Sequence, residues 1–444
     1  MVFTENINRR DAIKCALLGS AGLALWDLRE VWADVTVPPA TVPQGKATAK
    51  SVIQIWMWGG PSHLDTFDPK PDAGNDYCGS LKNPIPTNVK GIQIGELLPL
   101  LAQQADKYSI IRSMTHGVNA HETASYMVQT GHSSEDRLVY PCLGAIVSLI
   151  KGFDGGYKGL VPPYIVLTEP QGRFSEAGFL GPRYKPFATG GDPSRNPFAV
   201  EGIVTEGLSE ERRQGRRTLL KNLDTLGKVM PGTAPFDFFD ECGHAADSIV
   251  AEAGKLFDLS QEKMELRERY GMSKFGQSCL MARRLVEQGV PYITINYNGW
   301  DTHKEHFEIM RRKLPEMDKG MSTLLQDLSD RELLDSTVVW WSGEFGRTPR
   351  IQWESPWNGG RGHYGKCFSA VLAGGGFKGG QVVGASDAKG EEVAERPVRP
   401  EDLLGSILAL MGIDPQGKLP NAQGLDLQVM PSSQGTKGLL HEIM

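Results

Sequence analysis

The chain has 444 residues, 40% of them hydrophobic, enough to bury one large core or two modest ones and too apolar for wholesale disorder. A formal net charge of −6 with Lys and Arg dispersed argues against a phosphate-backbone binder, so nucleic acid is not an expected partner. Of six cysteines, Cys15 falls in an N-terminal signal, and the odd remainder Cys78, Cys142, Cys242, Cys279 and Cys367 lacks a CxxC pair; this argues against a dense disulfide framework or a Cys-rich zinc site, with room for one or two bridges.

Residues 1–33 read as an export signal. Arg9 and Arg10 precede an apolar run from Ala16 to Trp26 and a small-residue cleavage position after Ala33, as in twin-arginine signals. The alternative is an amphipathic helix of the mature fold. Asn8 stands where Ser or Thr is usual and Ala12 where Phe is usual, so export is better marked than this particular route. The run is too short to span a bilayer comfortably. The expected mature chain is therefore periplasmic or extracellular, without a transmembrane segment.

Residues 34–50 are rich in Pro, Thr and Ala and read as a linker. Val52 to Trp58, ended by Gly59-Gly60-Pro61, has the composition of a strand buried on both faces. Similar runs occur at Ser109 to Arg112, Tyr164 to Leu167, Tyr292 to Tyr297, Val338 to Trp341 and Phe368 to Leu372. Helical periodicity is found at Gly95 to Lys107, Ser209 to Leu226, Ala246 to Arg269, Lys274 to Gln288, His303 to Leu328 and Pro400 to Met411. This alternation predicts one α/β domain over residues 51–444, a mostly parallel central sheet with helices on both faces. A Gly/Pro-punctuated stretch around 180–243 reads as an insertion, and there is no internal repeat.

In such a sheet, ligands gather beyond the carboxyl ends of the strands. His63 and Asp65 follow the first run, and His116 and His121 the second, with His121 starting a helix that runs to Thr130-Gly131. Asp301 and His303 follow the run at Tyr292, Glu344 and Arg347 follow Trp341, and His363 precedes the last run. With His132 and His306, seven of the nine histidines lie in or beside these segments, which suggests a ligand set. Imidazole together with carboxylate suits zinc, manganese or iron, whereas an oxygen-only set would favour calcium or magnesium. Each residue also has a plainer role. His116 could cap a turn, His132 and His306 could be surface or supporting residues, and Asp301 could be a helix N-cap. Glu344 after a buried strand needs a cation or hydrogen bonds. Arg347 could supply that cation or bind an anionic substrate.

The set Gly59-Gly60-Pro61-Ser62-His63-Leu64-Asp65-Thr66-Phe67-Asp68-Pro69-Lys70, His121 to Gly131, Gly299-Trp300-Asp301-Thr302-His303, Gly343-Glu344-Phe345-Gly346-Arg347-Thr348-Pro349 and Gly362-His363-Tyr364 resembles the DUF1501 proteins, secreted members of the alkaline phosphatase-like superfamily. The resemblance runs from about Val52 to the C-terminus. It implies an alkaline phosphatase/sulfatase-like fold and one or two divalent metal ions, zinc or manganese. Asp65, Asp301, His303, Glu344 and His363 would be ligands by this likeness, and His63 joins them as a candidate from its place after the first strand. The implied activity is metal-dependent hydrolysis of a phosphate or sulfate ester, on a small molecule or a polysaccharide; the alternative is a non-catalytic, metal-stabilised binding or cell-envelope protein. His121 occupies the place of the superfamily nucleophile, with Thr123 and Ser125 nearby, and could serve as ligand, nucleophile or general acid. No sulfatase-type Cys/Ser-x-Pro-x-Arg motif is present, and Glu305 stands where a second histidine ligand is customary.

Overall fold

β-branched and aromatic side chains suit a pleated, buried surface, and all six apolar runs form strands in the computed structural model. It describes residues 47–134, 138–169, 176–200, 253–421 and 424–444, with Arg212 and Gly215. The expected export signal, most of the linker, the helix at Ser209 to Leu226 and most of the insertion lie outside the described residues. The strands of the central sheet are β1 (Ser51–Trp56), β2 (Tyr108–Met114), β3 (Tyr164–Leu167), β4 (Phe187–Ala188), β5 (Tyr292–Asn296), β6 (Thr337–Ser342), β7 (Phe368–Ala373) and β8 (Val382–Val383). The two-residue edge strands β4 and β8 carry too short a pattern to be read in advance.

The eight strands form one sheet in the order β8-β2-β7-β6-β1-β5-β3-β4. β1 is central, pairing Ile53 with Ile293 of β5 on one side and Val339 of β6 on the other. Every neighbouring pair is parallel except those of β7, which runs antiparallel to β2 and β6. The start of β7 therefore lies at the rim where the other strands end, and the chain leading into it belongs to that rim.

The helices used below are α1 (His121–Thr130), α2 (Leu143–Lys151), α3 (Met264–Tyr270), α4 (Lys274–Glu287), α5 (His306–Asp330) and α6 (Pro400–Leu410). Ile53 and Ile55 of β1 pack into one apolar core with α4 and α5, while Val52 and Trp56 face a second core with α2 and α6. Alternate residues of one strand thus meet opposite helical layers, which is why the strand reads as an unbroken apolar run. Gln54 is the polar exception. Its amide donates to Gln129 Oε1 at 3.0 Å and its oxygen accepts from Tyr292 and Thr294, so the buried group is satisfied and α1 is tied to the sheet.

Three helical expectations change. Gly95 to Lys107 forms only the turns Pro99–Ala102 and Ala105–Lys107, because Pro99 can open a helix but cannot continue one, and Asp318 takes the N–H groups of Leu100 and Leu101. Within the described part of Ala246 to Arg269, the Asp258 carboxylate caps Ser260 and breaks the helix before α3. α5 begins at His306 rather than His303, after Glu305 in the left-handed region at φ 51, leaving Asp301 to Glu305 irregular. α2, with eight of its nine residues buried, has no counterpart among the expected helices. Cys78, Cys142, Cys279 and Cys367 are free and buried; Cys15 and Cys242 lie outside the described residues. No described helix is long and apolar enough to cross a membrane.

Candidate metal centre

The rim is assembled by close backbone approaches. Gly59, just after β1, has φ +111, and a Cβ there would lie 2.2 Å from the Asp301 nitrogen. Only glycine lets the segment after β5 cross so near. The Gly59 N–H donates to both carboxylate oxygens of Glu344, at 2.9 and 3.2 Å, and Trp300 N–H donates to Trp58 O at 3.1 Å. The chain following β1, β5 and β6 is thereby locked together.

On this frame, ligand atoms of His121, Asp301 and His363 lie within 4.8 Å of one another. His121 Nδ1 is 2.7 Å from Glu344 Oε1, and its Nε2 is 3.4 Å from Asp301 Oδ2. His363 Nδ1 donates to the Asn119 carbonyl at 2.8 Å, leaving Nε2 3.1 Å from Asp301 Oδ1. His303 Nε2 is 2.8 Å from His363 Nε2 and 3.1 Å from Asp301 Oδ1. A carbonyl and a carboxylate can only accept, so each bonded Nδ1 is the donor; each Nε2 faces Asp301 and would offer its lone pair to an ion there on giving up any proton it shares with that carboxylate. This is how imidazoles are oriented for a metal, and the mixed nitrogen and oxygen donors fit a zinc, manganese or iron ion.

The same contacts set the charges around Asp301. Burial pushes the Asp301 pKa up, but hydrogen bonds to His121 and His363 and the Arg347 charge outweigh it and hold the carboxyl far below its usual range. Hydrogen bonds to Asp301 and Glu344 push the His121 pKa up to about 9 against the opposing effect of burial. His303 is shifted down, chiefly by burial. Trp58 stacks on His121 with ring centroids 5.9 Å apart, and Phe345 stacks on His363 at 4.6 Å, so the imidazoles have apolar walls.

The expected ligand set is only partly brought together. Asp301, His303 and His363 converge with His121. Glu344 is fully buried beside them, but its oxygens are taken by Gly59 and His121, so it orients a donor rather than offering one. Arg347, expected as a catalytic or anion-binding group, is corrected: it is fully buried and donates to Gly60 O, Gly59 O, Arg361 O and Asp301. Its guanidinium holds the turn and the carboxylate, with no donor turned to a substrate.

Asp65 and His63 do not join the group. Asp65 is buried between His306 Nε2 at 2.8 Å and Arg361 Nε at 3.0 Å; burial opposes its ionisation, but those two partners hold its pKa at about 2. His63 Nε2 donates to Gly390 O at 2.8 Å. His116 bridges Glu344 O and the Val118 N–H, which keeps it structural, and burial lowers its pKa to about 4. His132 stacks on Tyr140 at 3.5 Å, and His306 is fully buried rather than on the surface. The sequence reading missed Asn119, Trp58 and Arg361. Only Arg361 carried a signal, a lone cation between Gly360 and Gly362, two residues before His363.

No curated protein matches the chain. Among solved structures it is similar to the lipoteichoic acid synthase LtaP from Listeria monocytogenes, at 9% identity over 89% of this chain and 79% of that one, TM-score 0.40. A protein in the alkaline phosphatase superfamily from Vibrio parahaemolyticus shares 12% identity over 86% and 71%, TM-score 0.38. Alkaline phosphatase from the Antarctic bacterium TAB5 shares 9% over 84% and 100%, TM-score 0.37. At such TM-scores the likeness carries no argument about chemistry, which rests on this chain's own residues. A family model described as a protein of unknown function, DUF1501, matches residues 49–440, and the chain belongs to that family.

Proposed function

We propose that this is an exported, metal-dependent hydrolase of phosphate or sulfate esters. The observation that carries the reading is the convergence of His121, His363 and Asp301, with both imidazoles held through Nδ1 by acceptors. His303 stands within reach as a fourth donor. A divalent ion held there supplies Lewis acidity toward an ester oxygen and toward water.

The remaining steps fall to the chain. Asp301 and Glu344 carry two negative charges against Arg347, so with a divalent ion the centre has a net positive charge suited to an anionic ester. α1 begins at His121 with no side-chain cap, and its positive end adds to that field. Both ring nitrogens of His121 already face carboxylates, which speaks against a covalent nucleophile and for attack by water. The export signal read in residues 1–33 supports a periplasmic or extracellular setting.

That same engagement of His121 favours a second reading, a metal-stabilised binding or envelope protein without turnover. Elemental analysis of protein purified without a His-tag, followed by a panel of phosphate and sulfate esters, tests both. Stoichiometric metal with ester turnover that disappears in Asp301→Ala and His363→Ala supports the hydrolase. Metal without turnover supports the second reading, and no metal rejects both.

A further inference from the structure

Next to the metal centre lies a polar cluster closed to solvent: Asp65, Thr302, His306 and Arg361 are each at most 2% exposed. Asp65 Oδ2 accepts from His306 Nε2 at 2.8 Å. With that proton given to Asp65, Nδ1 of a neutral ring accepts from the Thr302 hydroxyl at 2.6 Å. Arg361 pairs with Asp65 at 3.0 Å, and its backbone N–H donates to Thr302 O at 3.1 Å. Its guanidinium also donates to Thr348 O at 3.0 Å, and its carbonyl accepts from Arg347 at 3.2 Å.

The placement of these residues in the chain matters. Thr302 sits between Asp301 and His303, and Arg361 two residues before His363. The cluster thus grips both segments that deliver three of the four converging donors, and it starts from Asp65 on the turn after β1. Burying an ion pair this deeply is a poor way to gain stability, since apolar packing of similar volume serves as well or better. What a satisfied polar network gives instead is one fixed geometry.

We propose that Asp65, His306 and Thr302 are positioning residues, which set the spacing of Asp301, His303 and His363 for the ion without touching it. This rests on the metal reading above. The chain Asp65–His306–Thr302 is a rigid strut: cutting it loosens the Asp301–His303 segment while leaving every donor in place.

The test compares Thr302→Val, which removes one hydroxyl and keeps the Asp65–Arg361 pair, with Asp65→Asn and with a control, Asp327→Asn. Asp327 sits in a separate buried network, bonded to Tyr270 at 2.9 Å and paired with Arg283 at 3.0 Å and Arg331 at 2.8 Å. Zinc affinity is read by chelator competition well below the unfolding temperature, and amide exchange is followed at 300–304 and 361–364. Expected are about 10- to 100-fold weaker zinc binding and faster exchange in those segments for Thr302→Val and Asp65→Asn, whereas Asp327→Asn unfolds earlier but keeps wild-type affinity. Folded Thr302→Val with unchanged affinity and exchange overturns the positioning role, and Thr302→Val decides if Asp65→Asn does not fold. Wild-type protein that takes up no zinc, manganese or iron overturns the metal reading instead, and the exchange data then judge the strut alone.

Discussion

Replacing Glu344 with glutamine tests whether a residue that offers no free ligand atom sets the strength of the centre. The side chain keeps its size, and an amide oxygen at the Oε1 position can still accept from Gly59 and His121. The NH2 group then lies where Oε2 was, 3.2 Å from the Gly59 nitrogen, so a donor faces a donor and the negative charge is gone. His121 is raised from 6.5 to about 9, chiefly by Asp301 and Glu344. At ~1.4 kcal/mol per unit that is about 3 kcal/mol of preference for positive charge on the ring, or about 2 kcal/mol allowing for its partial exposure. Glu344 supplies part of it, after Asp301, and the same field acts on any cation at Nε2. With the loss of ring orientation, Glu344→Gln is expected to weaken zinc binding about tenfold, within the range for partners of metal-bound histidine. Chelator competition at neutral pH measures this, and imidazole NMR should show the His121 pKa falling toward its ordinary value. A folded variant that binds zinc as tightly as wild type would refute the reasoning.

Gly59→Ala is expected to cost about 1–3 kcal/mol and to displace Asp301, because its Cβ would lie 2.2 Å from the Asp301 nitrogen; thermal unfolding and zinc titration report the two effects. Arg347→Lys should destabilise by about 3 kcal/mol, since an ammonium cannot reach Gly59 O, Gly60 O, Arg361 O and Asp301 together, and denaturant unfolding gives the value. His116 and His132 are both lowered from 6.5 to about 4, by burial above all. As pH falls the unfolded chain takes up protons first, so the stability present above pH 6.5 is lost between 6.5 and 4. The expected loss is about 1–2 kcal/mol for each ring, given their partial exposure; a flat stability curve over that window would count against the assignment. Removing metal with a chelator should lower stability by about 3 kcal/mol relative to protein holding ligand at a hundred times Kd, measured as a drop in Tm restored by zinc.

By itself the sequence determined the six long strands of the sheet. Runs such as Val52 to Trp56, apolar but for Gln54, and Val338 to Trp341 are near-continuous in apolar residues, and a strand covered by helices on both faces needs that composition. The glycines around Gly59 and Gly343 marked the turns at the rim, and Asp301, His303 and His363 could be gathered as donors from their places at strand ends. Only the tertiary structure decided which of those donors meet. Asp65 and Asp301 are alike in sequence, each a carboxylate shortly after a parallel strand, yet one is enclosed by His306 and Arg361 and the other faces three imidazoles. Arg347 read as a free cation, but four backbone and side-chain oxygens converge on it once the turns pack. The division has one cause: strand identity is written in periodicity along the chain, whereas a ligand set depends on distances of a few ångströms between segments far apart in sequence. Those distances come from glycine-permitted backbone crossings and from the reversed direction of β7.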